Sequence, residues 1–377
     1  MVISTQCPDD LIDAEHPVRV IWQVVCRLDL SRFYETIKAR EGEAGRDTTD
    51  PRLLVALWLY AATRGVGSAR ELARLCIESR PYMWLCGGVS LNHHTLSDFR
   101  VGHGAGLDEL LTQMIASLVE QKLLSVHRIS QDGTRVRACA GASSFRRRQR
   151  LNLLLKQAKE HVAQLKGLLD DPEKSAGLAM KKKAALERAA REKEQRIEQA
   201  LGQLPQLEAR QEKLARKVSR KDKAQGKLKE PRASSTDPDV RVMKMPDGGF
   251  RPAVNVQLAT DTQSRCIVGV EVINAGVDTA QLEPMRRQVE QRSGQKVQEH
   301  LADGGYLTFD DLDAAAGKVT LYIPPKPPRD AEKFGSEYEP RKTDSEAVKE
   351  WRRRMGTEES KEVYSSAGPP AKPPTLI

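Results

Sequence analysis

The sequence predicts a mixed α/β fold, with an all-helical domain before it and a helical hairpin inserted into it. Residues 17–125 carry helix caps and apolar residues at helical spacing. From residue 126 onward, short runs rich in β-branched residues alternate with helical segments, as in a mixed sheet. Between residues 145 and 232, a highly charged helical pattern separates the first strand from the others. The 377 residues are enough for two or three domains.

The first predicted elements are helices with recognisable caps. Asp50 has the position of an N-cap, Pro51 follows at the first helical position, and Gly65 ends the helix. Ser68 caps the next helix, with Glu71 three residues later as in a capping box. A helix, a glycine-containing turn and a second helix are compatible with a DNA-binding helix-turn-helix, although any small helical bundle has the same pattern.

The segment LNHHTLSDFR brings several polar residues close together in the same helical domain. His94, Ser97 and Arg100 are candidates for contact with DNA phosphates. The alternative is an ordinary capped helix start, which uses the same residue types. The next segment, LDELLTQMIASLVEQKLL, predicts an amphipathic helix that closes the domain.

The first strand is predicted in VHRISQDGTRVRA, which is short and rich in β-branched residues. It carries one carboxylate, Asp132, followed by Gly133. The insert comes next. Residues 145–232 contain 25 Lys and Arg against 12 Asp and Glu, whereas the rest of the chain is slightly acidic within a total charge of +9. All the excess positive charge therefore lies in this insert, which indicates a nucleic-acid surface.

Leucine and alanine residues at helical spacing predict that the insert is an antiparallel helical hairpin, with Pro205 interrupting its second helix. Its basic residues begin with Arg146, Arg147 and Arg148, which are further candidates for DNA contact. The alternative is a coiled-coil arm through which the protein forms a homodimer.

Strands resume after the insert. AVNVQLA, with Val254, Val256 and Leu258 alternating against polar neighbours, and RCIVGVEVI predict a β-hairpin. Asp247 in MPDGGF is interpreted as a turn residue. A helix in DTAQLEPMRRQVEQRSG, a strand in QEHLADGGY with Asp303, a short helix in FDDLDAAAG and a strand in VTLYIPP follow.

Two carboxylates, Asp132 and Asp303, therefore stand at predicted strand ends, each followed by glycine. Carboxylate oxygens are the ligands that Mg²⁺ and Mn²⁺ prefer. Two such ions about 3.5–4 Å apart can stabilise the attacking and leaving oxygens of a phosphodiester, but they require more than two carboxylates. On composition alone, Asp-Gly at a strand end is most often a turn.

Long segments of the chain, from about His16 to Tyr364, resemble the DDE transposases of bacterial insertion sequences. The resemblance implies an RNase H-like catalytic domain at residues 126–377, with residues 145–232 as its basic helical insertion. It also implies a helical domain at residues 1–125 that binds the terminal inverted repeats of the element. The segments that carry it are HPVRVIWQVVCRLDLSRFY, DPRLLVALWLYAATRGVGSARELARLC, YMWLCGGVSLNHHTLSDFR, SQDGTRVRACAGASSFRRR, DGGFRPAVNVQLATDTQSRCIVGVEVINAGVD and EHLADGGY.

The resemblance assigns the first two catalytic, metal-binding carboxylates to Asp132 and Asp303, with two Mg²⁺ ions in the intact family. The third is a Glu on the last helix, expected about eight residues after Tyr364, where this chain has Lys372 among prolines. The sequence thus predicts a transposase truncated or frameshifted after Tyr364. Such a protein would bind terminal repeats and target DNA without cutting or joining them. The alternatives are a DNA-binding remnant or a regulator.

The cellular location follows from what the sequence lacks. The N-terminus does not have the pattern of a signal peptide, and the longest apolar run, Leu53–Ala62, is about half of what a membrane span requires. Six scattered cysteines are interpreted as reduced thiols. The sequence therefore predicts a cytoplasmic, nucleoid-associated protein.

Overall fold

The computed structural model describes residues 7–35, 37, 48–171, 180–217, 230–327 and 336–367. The chain divides into two compact units. Among the described residues, the helical unit comprises residues 7–35, 37, 48–126 and Val289–Lys296, and the sheet unit comprises residues 127–171, 180–217, 230–288, 297–327 and 336–367. No helix in the described ranges has both the length and the apolar character needed to cross a membrane.

The helical unit packs its helices around an apolar core whose most buried members include Leu57, Leu72 and Leu96. A 3-10 turn at Pro8–Leu11 precedes the first helix. The helices are α1 (Pro17–Arg27), α2 (Ser31–Tyr34), α3 (Pro51–Thr63), α4 (Ala69–Glu78), α5 (Arg80–Cys86), α6 (His93–Gly102) and α7 (Gly104–Glu120).

The predicted caps of this unit are confirmed. The Asp50 carboxylate accepts a hydrogen bond from the main-chain N–H of Arg52 at 2.8 Å, and the Ser68 hydroxyl accepts one from that of Glu71 at 3.4 Å. Gly65 follows α3 with a φ of +72°, a left-handed conformation that favours glycine. These bonds satisfy main-chain donors that a helix start otherwise leaves unpaired.

The sheet unit contains a mixed six-stranded sheet in the order β4-β5-β1-β7-β8, with β6 also paired to β5. β1 pairs with β5 in antiparallel orientation and with β7 in parallel orientation, and β7 pairs with β8 in parallel. The predicted mixed α/β class is thereby confirmed. The strands are β1 (Arg128–Arg137), β2 (Phe145–Arg146), β3 (Ala233–Ser234), β4 (Arg241–Lys244), β5 (Phe250–Asp261), β6 (Ile267–Ile273), β7 (Glu299–Ala302) and β8 (Thr320–Tyr322).

Both predicted hairpins of this unit are present. β4 and β5 are joined by a turn in which the Asp247 carboxylate accepts hydrogen bonds from the Gly249 N–H at 3.1 Å and from Arg251 at 2.5 Å. The interpretation of Asp247 as a turn residue is therefore confirmed. β5 and β6 form the second hairpin, with paired residues from Asn255 opposite Ile273 onward.

The basic hairpin, our name for helices α8 (Arg148–Asp170) and α9 (Met180–Lys217), is antiparallel as predicted. Ion pairs join Arg148 to Glu208 at 2.8 Å and Lys159 to Glu198 at 2.8 Å, so residue numbers rise on one helix as they fall on the other. Buried apolar residues of both helices fill the interface between them: Leu151, Ala158, Ile197, Ala200 and Leu204.

The predicted interruption at Pro205 is wrong, because α9 continues through it. Proline removes one helical hydrogen bond and destabilises a helix interior. The packing of the fully buried Ile197, Ala200 and Leu204 against α8 offsets that loss, so that the helix extends to Lys217.

Four helices complete the described part of the sheet unit, with a core around the buried Trp351 and Tyr306. Residues 346–367 form two helices, because the first one ends at Met355 before Gly356 and the Thr357 hydroxyl accepts from the Ser360 N–H at 3.3 Å at the start of the second. The helices are α10 (Leu282–Ser293, of which the residues from Val289 belong to the helical unit), α11 (Phe309–Ala315), α12 (Glu346–Met355) and α13 (Glu358–Ala367).

Candidate active site

Asp132 and Asp303, which we call the aspartate pair, lie at one edge of two neighbouring parallel strands. β1 and β7 are paired through Gln131 opposite Ala302, and each aspartate is the next residue along its chain. Neighbouring strands are about 4.8 Å apart. The pairing thus brings together two carboxylates that are 171 residues apart in sequence.

Each carboxylate of the aspartate pair accepts a nearby main-chain N–H. The Gly133 N–H donates to Asp132 Oδ1 at 2.8 Å, and the Gly305 N–H donates to Asp303 Oδ1 at 2.6 Å. The Asp303 turn is closed further by the Tyr306 N–H, which donates to the Asp303 carbonyl at 3.2 Å. Donors of this kind fix the orientation of a carboxylate.

A buried network of polar side chains supports the strands beneath the pair. We call it the amide network; its members are Gln131, Asn255, Gln257, Asp278 and Tyr306. Gln131, Asn255 and Gln257 are each 1% exposed. Because side chains alternate along a strand, Gln131 and Gly133 face one side of the sheet and Asp132 faces the other.

The hydrogen bonds of the amide network are continuous. Gln257 Oε1 accepts from Gln131 Nε2 at 2.9 Å and from the Tyr306 hydroxyl at 2.5 Å. Asp278 Oδ1 accepts from Gln257 Nε2 at 2.8 Å and from Asn255 Nδ2 at 2.7 Å. Gln131 Oε1 is buried without a hydrogen-bond partner among the described residues, but the bonds that are formed hold the amides in a single geometry.

Gly133 lies directly against the amide network. A Cβ built there would clash with Gln257 Nε2 and would lie 2.6 Å from Asp278 Oδ1 and 3.0 Å from Asn255 Oδ1. The residue after Asp132 therefore has no room for a side chain.

The pKa values of two tyrosines are raised in part by the negative charge around the site. Burial raises the pKa of Tyr306, and the nearby carboxylates of Asp278, Asp132 and Asp303 raise it further. Burial also raises the pKa of Tyr364 on α13, with Asp303 and Asp132 contributing in the same direction. The negative charge of the two aspartates disfavours the phenolate form of Tyr364. This effect reflects the proximity of Tyr364, on α13, to the aspartate pair.

The donor set fits a hard divalent cation in its chemistry but is small. The aspartate pair offers carboxylate oxygens just beyond the last paired residues of β1 and β7, and carboxylate oxygens are the ligands that Mg²⁺ or Mn²⁺ requires. Asp303 follows the end of β7 as predicted, whereas the predicted strand end at Asp132 is wrong, because β1 continues to Arg137 through its pairing with β5. Within the described ranges, no group of three or more His, Cys, Asp or Glu side chains is close enough together to hold an ion. Lys372, which occupies the position expected for the third carboxylate, lies outside the described residues.

Reasoning from the sequence missed Gln131, Asn255, Gln257 and Asp278 as parts of this site. A signal was present in AVNVQLA, where polar residues occupy every second position of a strand. That alternation predicted only a strand of a hairpin, whereas in the structure the amides are more deeply buried than the neighbouring valines.

The other predicted contact residues lie on two separate elements. In α6, His94 and Arg100 are exposed and Ser97 is partly buried. The Asn92 side chain caps this helix by accepting from the His94 N–H at 2.9 Å, which is the ordinary capped start. The Arg100 guanidinium lies 4.3 Å from the ring centre of Trp58 and donates to the Gly67 carbonyl at 2.8 Å.

Arg146, Arg147 and Arg148 are all exposed at the base of the basic hairpin. Arg147 pairs with Glu230 at 3.0 Å, and Arg148 forms a two-pronged pair with Glu208. These acidic partners offset two of the three positive charges locally.

Comparison with known proteins gives one family match. Residues 6–102 match the family model described as Transposase domain (DUF772). No curated protein and no solved structure matches the chain. The matched segment covers α1 to α6 of the helical unit. Over these residues the chain is similar to that transposase domain.

Proposed function

We propose that this chain is an insertion-sequence transposase, that its sheet unit is the RNase H-like, DDE-type catalytic domain, and that Asp132 and Asp303 are two of the metal-binding residues of that domain. The observation that carries the proposal is the parallel pairing of β1 and β7, which ends at Gln131 and Ala302, one residue before each aspartate. The mixed sheet, with β1 at its centre and the basic hairpin inserted after that strand, agrees with the predicted RNase H-like domain.

Divalent cations at such a site would stabilise the oxygens of a phosphodiester undergoing substitution by water or by a DNA 3′-hydroxyl. The protein's part is to hold the carboxylates. The N–H groups of Gly133 and Gly305 engage one oxygen of each aspartate, which orients the carboxylate. The amide network keeps the underlying strands rigid, so little reorganisation is needed when charge develops.

In the same proposal, the helical unit recognises the terminal inverted repeats, and the basic hairpin contacts the DNA backbone of the element or its target. Association of the protein with the nucleoid, and assembly as a homodimer through the hairpin, stay predictions of the sequence. The described residues supply two carboxylates at the site, so we propose that this chain binds DNA ends without cutting them. Cleavage of a terminal-repeat substrate in Mg²⁺ that D132N abolishes would instead identify an active enzyme.

The first test is whether the aspartate pair forms one shared divalent site. We expect Mn²⁺ to broaden the NMR signals of the Gly133 and Gly305 amides over the same concentration range. D132N or D303N alone is expected to weaken binding at least about tenfold, because removing either carboxylate removes a charged oxygen ligand.

D247N is the matched control, because Asp247 lies in an exposed turn of the same unit and is paired with Arg251. It is expected to leave Mn²⁺ affinity unchanged. Broadening of one glycine amide without the other would contradict the shared site.

The second test concerns the basic hairpin. Arg150, Lys156, Arg188 and Lys193 are exposed on its two helices. Replacing all four by glutamine is expected to make the slope of log K against log salt less negative, by about 0.9 for each residue that neutralises a phosphate of B-DNA. Fluorescence anisotropy on a labelled duplex across a salt series measures this slope.

The control for this measurement is the double variant K159Q/E198Q. It removes the ion pair between Lys159 Nζ and Glu198 Oε1, which are 2.8 Å apart in the same hairpin, without changing the net charge. Its slope should equal that of the unsubstituted protein. A quadruple variant with an unchanged slope would move DNA contact away from the hairpin and favour an oligomerisation arm.

A further inference from the structure

Tyr306 belongs to both the turn that carries Asp303 and the buried network beneath Asp132. It is three residues after Asp303, and its N–H closes the turn by donating to the Asp303 carbonyl. Its ring is fully buried in the apolar cluster with Leu312 and Trp351. Its hydroxyl donates to Gln257 Oε1 at 2.5 Å. The residue thus links a turn at the end of β7 to the middle of β5.

From Gln257 the connection continues to the residues on both sides of Asp132. Gln257 Oε1 accepts from Gln131 Nε2 at 2.9 Å. Gln257 also lies opposite Gly133 in the pairing of β1 with β5. Its side-chain amide occupies the space that a Cβ at Gly133 would need. The Gln257 side chain, which accepts the hydrogen bond from the Tyr306 hydroxyl, therefore also holds in place the part of β1 that carries Asp132.

These contacts run on the face of the sheet opposite the Asp132 carboxylate, since Gln131 and Asp132 point to opposite sides. The amide network therefore influences the aspartate pair through the backbone rather than through direct contact. The Asp278 carboxylate accepts two amide donors within this network. For this reason Asp278 does not join the aspartates as a third ligand in the described structure.

We propose that Tyr306 is a positioning residue: through its hydroxyl, Gln257 and Gln131, it clamps the Asp303 turn to the strand that carries Asp132 and so sets the spacing of the aspartate pair. The proposal rests on the proposed metal-binding role of that pair. It goes beyond it by naming what determines whether the two carboxylates can share one ion.

The acceptor at the centre of the clamp is deeply buried. Gln257 is 1% exposed. If the tyrosine hydroxyl is removed, Gln131 Nε2 is the remaining donor to Gln257 Oε1 among the hydrogen bonds described for that oxygen. The phenyl ring of a phenylalanine would keep the packing against Leu312 and Trp351. Y306F therefore separates the hydrogen bond of the clamp from the apolar packing of the residue.

The test compares Mn²⁺ binding to the full-length protein and to Y306F. We expect Y306F to bind about tenfold more weakly, equivalent to about 1.4 kcal/mol. We also expect the Gly133 and Gly305 amides to broaden together in the unsubstituted protein and at different Mn²⁺ concentrations in Y306F. A purely structural role for Tyr306 would not separate these two signals.

Y322F is the matched control, because Tyr322 is a partly buried tyrosine of the same unit at the end of β8. It should leave both readouts unchanged. Q257M, which removes the acceptor while keeping a similar side-chain volume, should reproduce the separation of the two signals and provides a second route if Y306F is poorly folded.

The outcomes distinguish the clamp from the proposed function. If Mn²⁺ broadens neither glycine amide in the unsubstituted protein, the metal site itself fails and the clamp falls with it. If the unsubstituted protein shows a shared site and folded Y306F keeps the same affinity and the same joint broadening, the clamp is overturned while the metal site stands.

Discussion

D344A is expected to destabilise the sheet unit by about 3–5 kcal/mol, because it leaves a buried guanidinium without its counter-charge. The side chains of Arg352 and Asp344 are 4% and 3% exposed, and Arg352 Nε donates to Asp344 Oδ2 at 2.8 Å. The same oxygen accepts the Arg341 N–H at 2.9 Å. The substitution therefore removes an ion pair and a main-chain hydrogen bond together.

Native-state hydrogen exchange measures this loss in the sheet unit alone, through amides of β7 and β8. E350A is the matched control, since Glu350 pairs with Arg354 at 3.3 Å but is 76% exposed. Its expected effect is within about 0.5 kcal/mol. D344A/R352M should be less destabilised than D344A, because no unpaired charge remains in the interior. Equal protection in D344A and E350A would refute the assigned importance of this pair.

The elements that sequence patterns predicted well are those whose signals are local. Asp50 and Ser68 cap helices by contacts within three residues, and the turn at Asp247 uses donors within four residues. Backbone conformation at such positions depends little on the rest of the fold. The wrong interruption at Pro205 has the opposite origin, since packing between α8 and α9 outweighs the local preference of proline.

The arrangement of the candidate site depends on pairing between distant strands. The sequence marked Asp132 and Asp303 as carboxylates at strand ends, but their proximity follows from the parallel register of β1 and β7. Local patterns contain no information on which strands become neighbours. Here the resemblance to a known family, rather than periodicity, selected these two aspartates from 52 acidic residues.

The amide network could not be predicted because hydrophobic alternation assigns polar residues to the outside. In β5 the reverse holds: Asn255 and Gln257 are almost fully buried, while Val254 and Val256 are partly exposed. The burial costs little free energy because most donors and acceptors of the network, which come from two strands and two loops, pair with one another. Such mutual satisfaction is a property of the assembled sheet.

The tightest contact in this network leads to the second large effect. G133A is expected to destabilise the sheet unit by about 3 kcal/mol, because the new methyl group collides with Gln257 Nε2 and crowds Asp278 Oδ1. These atoms are ends of side chains, but each is fixed by hydrogen bonds of 2.7–2.8 Å in the interior. Moving them breaks buried hydrogen bonds, and moving β1 instead shifts Asp132.

G141A is the matched control for this prediction. Gly141 lies in the same unit, has an ordinary φ of −71°, and a Cβ there would meet its nearest neighbour at 3.6 Å. Alanine at that position should be neutral or stabilise by up to about 1 kcal/mol, since it restricts the unfolded chain. Urea unfolding followed by circular dichroism compares the two variants, and Mn²⁺ titration shows whether G133A also loses the shared site. If G133A is as stable as G141A and binds Mn²⁺ normally, β1 is not held against the amide network, and the network cannot set the position of Asp132.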